Sequence, residues 1–305
     1  MAKRVILVNI QKGYSMTLAA ELHANFIHAR WPIQSYVAAG FLLGLLLALV
    51  PLSMTTLWAF ISWLLLCVGL TIFNSYYDKD EEPVGGMVHP PKVTKGLFWG
   101  SLILQIIALL IAVFISPTFF LLALFMYVVF FLYSHRWFRF KSNGYAAVFL
   151  NGLLGASTIL AAASLGGNLL RPEILCGAAT AFFFKTSVYM MMQVHQIEED
   201  TLRGDKSIAV MYGRNRTLLA SLVGIVIAGM FATAALYILS QGILLPLLMC
   251  VYFVSIAALY LLWMNSEGDK LKDTVRMNRM VYYTGYASCF VFSVSYVYLD
   301  LRGML

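Results

Sequence analysis

Long stretches without a charged residue dominate the hydrophobic pattern of this chain. A transmembrane helix needs about 20 apolar residues, so a stretch twice that long with a turn residue near its middle predicts two helices. This count predicts nine membrane-spanning helices. They lie in residues 31–77 (two, turning at Pro51), 96–135 (two, turning at Ser116 and Pro117), 145–170, 174–196, 217–266 (two, turning at Gln241 and Gly242) and 280–299.

The composition agrees with that pattern. Hydrophobic residues make up 61% of the 305 residues and charged residues only 11%, against about a quarter charged in an ordinary soluble domain. Such a chain cannot cover a soluble fold with charge, which excludes a cytosolic globular enzyme, a disordered chain and a disulfide-rich secreted scaffold. We expect an all-α polytopic membrane protein, with residues 1–305 forming a single domain.

The basic residues indicate how the chain is oriented. Eighteen Lys and Arg residues lie in the N-terminal segment and in the loops near 78–95, 136–141, 203–216 and 270–279, whereas the opposite side carries Arg171 and Arg302. The positive-inside rule places the N-terminus and the polar loops in the cytoplasm and the C-terminus on the other side. The net charge of +7 therefore reflects topology, and we expect the lipid bilayer rather than nucleic acid as a partner.

Residues 1–30 precede the first predicted span. Apolar residues recur there at helical spacing, namely Leu18, Leu22, Phe26 and Ile27. Polar residues interrupt them, so the segment predicts an amphipathic helix lying in the cytoplasmic interface of the membrane.

Two acidic segments follow predicted spans. In the first, Asn74, Asp78 and Glu82 are four residues apart and share one face if the helix continues; in the second, Gln196 and Asp200 have the same spacing. The predicted topology places both segments at the cytoplasmic face. Together they contain eight of the 14 acidic residues: Asp78, Asp80, Glu81, Glu82, Glu198, Glu199, Asp200 and Asp205.

Eight carboxylates in two helix exits repel one another unless cations neutralise them. The alternative is that they are ordinary solvated loop acids. Oxygen ligands without clustered His or Cys suit Mg²⁺, which commonly bridges a few carboxylates to the phosphates of a substrate. Two facing acidic segments therefore predict a site that binds a diphosphate through Mg²⁺.

These segments resemble the motifs of the UbiA superfamily of intramembrane prenyltransferases. The first motif is roughly Asn-Asp-x-x-Asp-x-x-x-Asp, and Asn74 and Asp78 match it, while Glu82 replaces its last aspartate. The second is Asp-x-x-x-Asp followed by a glycine, and Asp200 matches it, while Gln196 replaces its first aspartate.

A third stretch strengthens the resemblance. Tyr133 and Ser134, followed by Arg139 and Lys141, resemble the loop after the fourth span of the superfamily. Motif order, sidedness and span count agree over nearly the whole chain. The runs that begin at Pro83 and His195 are similar to those of a bacterial subgroup, which predicts a bacterial inner membrane.

The resemblance implies a helical bundle around a central cavity and a Mg²⁺-dependent reaction. It implies that a polyprenyl diphosphate is ionised and that its prenyl group passes to a small or lipophilic acceptor, for example an aromatic one. The implied metal ligands are Asn74, Asp78, Glu82, Gln196, Glu199 and Asp200. The implied diphosphate-binding residues are Arg139, Lys141, Arg203 and Lys206. The implied catalytic residues are Asn74, Asp78, Asp200 and Tyr133, and the position of Lys185 deep in its span adds that lysine as a further catalytic candidate.

Tyr133 is a candidate for cation–π contact with the allylic carbocation. Lys185 lies inside a span, 11 residues or about 16 Å before Gln196 if the helix is continuous. It is too deep to reach the surface easily, and its face, shared with Tyr189, Gln193, Gln196 and Asp200, must point into the bundle. Lys185 either pairs with a backbone carbonyl or Tyr hydroxyl, or binds an anionic acceptor or a phosphate.

Two other functions are compatible with the sequence. In a terpene cyclase of the same superfamily, the ionised substrate, such as geranylgeranyl or farnesyl diphosphate, would attack itself. An ion-coupled transporter would use the acids for ion passage, but transporters place ionisable residues near the membrane midplane, whereas these acids lie at helix exits.

Overall fold

The computed structural model describes residues 17–79, 87 and 89–305. Eleven α-helices form in these ranges: α1 Leu18–His28, α2 Trp31–Ala48, α3 Met54–Asp78, α4 Lys95–Ile115, α5 Pro117–Ser134, α6 Gly144–Ala163, α7 Pro172–Gln193, α8 Ile197–Arg203, α9 Ile208–Ser240, α10 Leu244–Met264 and α11 Lys270–Leu301. Single 3₁₀ turns cover Phe140–Ser142, Ser164–Gly166 and Val194–Gln196. The same ranges contain no β-strand, so the all-α prediction is confirmed.

The number of long helices agrees with the nine predicted spans. In the described part of the chain, nine helices have 18 residues or more, and eight of these are long and apolar enough to cross a membrane. The ninth, α11, begins ten residues before the predicted span at Met280. Its first turns are polar and contain Lys270, Lys272, Asp273, Arg276 and Arg279.

Local sequence explains where the long helices turn. The Ser116 side chain accepts a hydrogen bond from the Phe119 amide at 3.1 Å, and Pro117 occupies the first position of α5, where no amide hydrogen is needed. Leu49 ends α2 in the left-handed conformation with φ of 55°, and Gln241 ends α9 at φ of 48°. These turns lie at or beside the predicted positions.

The short helix α1 has two different faces. Leu18, Leu22 and Phe26 are 76%, 62% and 58% exposed, which suits contact with lipid. On the other face, Asn25 donates to the Gly96 carbonyl at 3.5 Å. The predicted amphipathic helix agrees with α1, while its place in the membrane interface stays a prediction and the predictions for residues 1–16 lie outside the described residues.

Close packing of the helices determines where Lys185 lies. Helix α7 packs between α6 and α9, and α3 packs against α4. A Cβ atom at Gly155 of α6 would lie 2.4 Å from the Ala181 carbonyl oxygen and 2.8 Å from the Lys185 Cβ. Only a glycine permits this approach of α6 to α7, and it fixes the position of Lys185.

Candidate active site

The end of α3 places Asn74 and Asp78 one turn apart. The Asn74 amide donates to the Asp78 carboxylate at 2.7 Å, and the Ser134 hydroxyl at the end of α5 donates to the Asn74 oxygen at 2.9 Å. Helix α3 stops at Asp78, because Lys79 has a left-handed backbone with φ of 52°. The shared face predicted for Glu82 required a helix that continues past Asp78, and that condition is not met; Glu82 itself lies outside the described residues, so its role stays a prediction.

The second acidic segment is not one continuous helix either. Helix α7 ends at Gln193, a 3₁₀ turn covers residues 194–196, and α8 begins at Ile197. The single helical face assumed for residues 185–200 is thus corrected. The break redirects the chain, yet Lys185, Gln196 and Asp200 still line the same cavity.

That cavity, which we call the polar cavity, brings most of the predicted residues together. Its lining includes Asn74, Asp78, Tyr133, Arg139, Lys141, Lys185, Gln196, Asp200 and Arg203. Glu199 and Lys206 do not line it. Lys206 instead makes backbone hydrogen bonds with Ser142 and Gly144, which join the loop before α6 to the loop before α9.

The cations of the polar cavity are paired with acids. Lys141 contacts the Asp78 carboxylate, and Arg203 contacts Glu199 one turn away on α8. Arg139 bonds Asp205 at 3.0 Å. Burial lowers the pKa of Lys141 to about 7, although the nearby Asp205 carboxylate acts to raise it. Positive side chains are thus held at the ends of both acidic segments.

Two tyrosines form one wall of the polar cavity. The Tyr133 hydroxyl on α5 donates to the Tyr189 hydroxyl on α7 at 3.2 Å, and the ring centroids are 6.3 Å apart. Both rings face a space that also contains Asn74 and Asp78. Tyr189 thus supports Tyr133 in this wall.

Sequence reasoning missed Arg30. This residue is 7% exposed, lines the polar cavity and donates to the Ser75 hydroxyl at 3.0 Å. It adopts a left-handed backbone with φ of 51° at the junction of α1 and α2. The signal available in the sequence was an arginine immediately before the Trp31-Pro32 pair that begins α2. From the sequence alone, this arginine counted only as one of the basic residues of the N-terminal segment that indicate topology.

A second, apolar cavity adjoins the polar one. It is lined mainly by aliphatic and aromatic side chains from α2, α3, α5, α6, α7, α10 and α11. The two cavities share five lining residues: Ile33, Thr71, Phe130, Asn151 and Lys185. The arrangement can hold a charged group at one end and a hydrocarbon chain at the other.

The oxygen donors of the polar cavity fit Mg²⁺. Within the described ranges, no three Asp, Glu, His or Cys side chains are grouped closely enough to hold a metal on their own. Mg²⁺ nonetheless needs only one or two carboxylates when substrate phosphates and water complete its shell. Asp78 and Asp200 supply two carboxylates. The buried side-chain oxygen Oε1 of Gln193, which also lines the cavity, has no hydrogen-bond partner among the described residues.

Comparison with known proteins identifies the family. The sequence model that describes the UbiA prenyltransferase family matches residues 37–285. The chain belongs to the UbiA prenyltransferase family. As a member, it is an intramembrane enzyme that acts on allylic diphosphates, and the resemblance inferred from the motifs is confirmed.

Individual UbiA relatives agree in sequence and fold. Digeranylgeranylglyceryl phosphate synthase of Thermococcus kodakarensis is 28% identical over 213 residues, covering 68% of this chain and 71% of that protein. A solved structure of a digeranylgeranylglyceryl phosphate synthase superposes with a TM-score of 0.65 at 17% identity, covering 92% and 99% of the two chains. A UbiA homolog from Archaeoglobus fulgidus bound to DMAPP and Mg²⁺ gives 0.63 at 18% identity, covering 87% and 99%.

Proposed function

We propose that this UbiA family member transfers a prenyl group from a polyprenyl diphosphate to an acceptor in a Mg²⁺-dependent reaction. The observation that carries the proposal is the junction of the polar and apolar cavities. A prenyl diphosphate has the same division, with a charged head and a hydrocarbon tail. The binding of DMAPP and Mg²⁺ by the Archaeoglobus fulgidus homolog supports the same chemistry here.

The diphosphate would lie between the two acidic segments. Asp78 and Asp200, with the side-chain oxygens of Asn74 and Gln196, would hold Mg²⁺, and the predicted contributions of Glu82 and Glu199 are retained as proposals. When bound, Mg²⁺ neutralises the charge that develops on the leaving diphosphate. Arg139, Lys141 and Arg203 provide hydrogen-bond donors for phosphate oxygens, and Lys206 is the more distant candidate.

The hydrocarbon tail would occupy the apolar cavity. The allylic carbon is attached to the diphosphate, so it would lie where the two cavities meet. Tyr133 and Tyr189 line the polar side of that junction, where their electron-rich rings stabilise positive charge. Aliphatic walls on the other side exclude water that would otherwise capture the carbocation.

Two acceptor classes are worth testing. One is the aromatic acceptor expected from the sequence. The other is a phosphorylated glyceryl lipid, because the name of the Thermococcus relative contains such a product. The cyclase alternative needs no acceptor at all. We place the reaction at the cytoplasmic face of a bacterial inner membrane, following the distribution of basic residues.

An incubation series tests this function. Purified protein in nanodiscs receives geranylgeranyl or farnesyl diphosphate with Mg²⁺, with and without each acceptor, and the products are analysed by mass spectrometry. Acceptor-dependent prenylated product supports transfer. A cyclic hydrocarbon formed without acceptor overturns transfer in favour of the cyclase, and no consumption of either diphosphate under any condition contradicts both.

A further inference from the structure

A buried lysine lies at the junction of the two cavities. Lys185 lines both of them, together with the polar residues Thr71 and Asn151. It is eight residues before Gln193 on the uninterrupted helix α7, which places it about 12 Å deeper along the helix axis. An ionisable side chain at such a depth in a membrane protein is costly and normally has a partner.

The structure provides no such partner within the described ranges. Arg139, Lys141 and Arg203 each contact a carboxylate. By contrast, Lys185 has no hydrogen bond or ion pair to any described residue. Cys67 lines the same apolar cavity as Lys185, and its thiol is only a weak hydrogen-bonding group. The structural alternative, a bond to a carbonyl or Tyr hydroxyl, is therefore not observed in the described part of the chain.

Polar residues from four helices line the cavities beside Lys185. Gln34 donates to the Ala29 carbonyl at 2.7 Å and to the Thr71 hydroxyl at 3.2 Å, and Thr71 donates to the Cys67 carbonyl at 2.8 Å. These contacts connect α2 to α3. Asn151 of α6, which donates to the Ala147 carbonyl of its own helix at 2.9 Å, and Lys185 of α7 line the same junction. The junction is therefore polar, whereas the rest of the apolar cavity is lined mainly by aliphatic and aromatic side chains.

We propose that Lys185 binds an oxyanion, a carboxylate or a phosphate, carried by the acceptor. The proposal rests on the transferase function given above. The donor diphosphate already has three cations and the acidic segments at the outer end of the polar cavity. The allylic carbon lies at the junction, so the acceptor must reach the same place, and the unpaired ammonium group is positioned to hold it there.

A binding experiment separates the acceptor from the donor. The polar cavity is first saturated with Mg²⁺ and geranyl S-thiolodiphosphate, a donor analogue that resists ionisation. Calorimetry then measures 4-hydroxybenzoate against neutral 4-hydroxybenzyl alcohol, and octyl phosphate against octanol. The two pairs distinguish a carboxylate from a phosphate.

We expect at least one anion to bind at least tenfold more tightly than its neutral counterpart. Lys185→Met should abolish that preference while leaving the affinity for the donor analogue unchanged, and Lys185→Gln provides a second variant if the first does not fold. Lys272→Met, which removes an exposed lysine on α11, is the matched control and should bind as the wild type does.

Three results overturn the proposal: no preference for either anion, an unchanged preference in both Lys185 variants, or an equal loss of donor-analogue binding. The last would assign Lys185 to the donor. Pyrophosphate release from geranylgeranyl diphosphate with Mg²⁺ and each acceptor is measured separately in the wild type. Its absence would contradict the proposed function without affecting the anion-binding result, so the two failures remain distinguishable.

Discussion

The Ser134 hydroxyl donates a 2.9 Å hydrogen bond to the Asn74 oxygen across 60 positions of sequence. The bond leaves the Asn74 amide hydrogens directed at Asp78, which accepts one of them at 2.7 Å. Ser134 thereby orients the first acidic segment from a neighbouring helix. It is a positioning residue for the proposed Mg²⁺ site.

Loss of that hydroxyl should weaken catalysis without unfolding the protein. A single hydrogen bond contributes about 0.5–1.5 kcal/mol, so Ser134→Ala should lower kcat/KM roughly two- to tenfold and raise the Mg²⁺ concentration needed for half-maximal rate. Ser240→Ala, which removes a hydroxyl bonded only near the end of α9, is the control. Identical Mg²⁺ dependence in Ser134→Ala and the wild type would contradict the positioning role.

The glycine at position 155 should be needed for the packing of α6 against α7. Its Cβ would lie 2.4 Å from the Ala181 carbonyl oxygen, so Gly155→Ala forces the helices apart. Overpacking of this kind typically costs about 1–3 kcal/mol. Thermal unfolding in detergent should show a lower Tm for this variant than for Gly242→Ala, whose added Cβ would meet its nearest atom at 3.6 Å. Equal values for the two variants would refute the packing argument.

A network around Asp273 should stabilise the polar end of the bundle. Arg214 bonds both carboxylate oxygens, at 2.8 and 3.1 Å, and the Trp263 indole donates at 2.7 Å. These contacts join α9, α10 and α11. Removing one partner of a buried ion pair costs about 3–5 kcal/mol, so Asp273→Ala should lower the Tm strongly, whereas Asp269→Ala at the exposed start of α11 should have a smaller effect.

The same network has a defined pH dependence. Burial acts to raise the pKa of Asp273, but hydrogen bonds from Arg214 and Trp263 outweigh it and hold the pKa below its usual value. The stabilisation is therefore complete above about pH 3.9, the ordinary value for Asp, and is lost as the pH falls through the lower folded pKa. Unfolding followed by intrinsic fluorescence should show a steeper loss of stability below pH 4 in the wild type than in Asp273→Ala. Parallel curves would contradict this.

The sequence was sufficient to predict the helices and the family, but not the details of the site. The length of an apolar stretch predicts a membrane helix because the thickness of the bilayer sets how many residues a helix needs to cross it. The turn at Ser116-Pro117 is predictable because it depends on these two residues alone. The end of α3 at Asp78 and the break after Gln193 were not predictable, since spacing rules assume that a helix continues. Arg30 was missed because its role depends on a contact with α3, which no local pattern reveals.

The charge pairs also required the structure. Asp78 ends α3 and Lys141 lies in the 3₁₀ turn Phe140–Ser142, so their contact depends on how α3 meets the loop after α5. The ion pair of Arg139 with Asp205 likewise joins two loops, one after α5 and the other between α8 and α9. Sequence reasoning assigned each residue a sign and a face of the membrane, but the packing of the helices determined which opposite charges meet.

The most direct test of the Mg²⁺-dependent transferase is pyrophosphate release from geranylgeranyl diphosphate in the presence of each acceptor, with Mg²⁺ and after EDTA treatment. We predict release by the wild type that EDTA abolishes and added Mg²⁺ restores, and a loss of about 10²-fold or more in Asp78→Asn and Asp200→Asn. Full release in EDTA, or wild-type rates in both variants, would contradict the central claim that these two carboxylates hold the metal that activates the diphosphate.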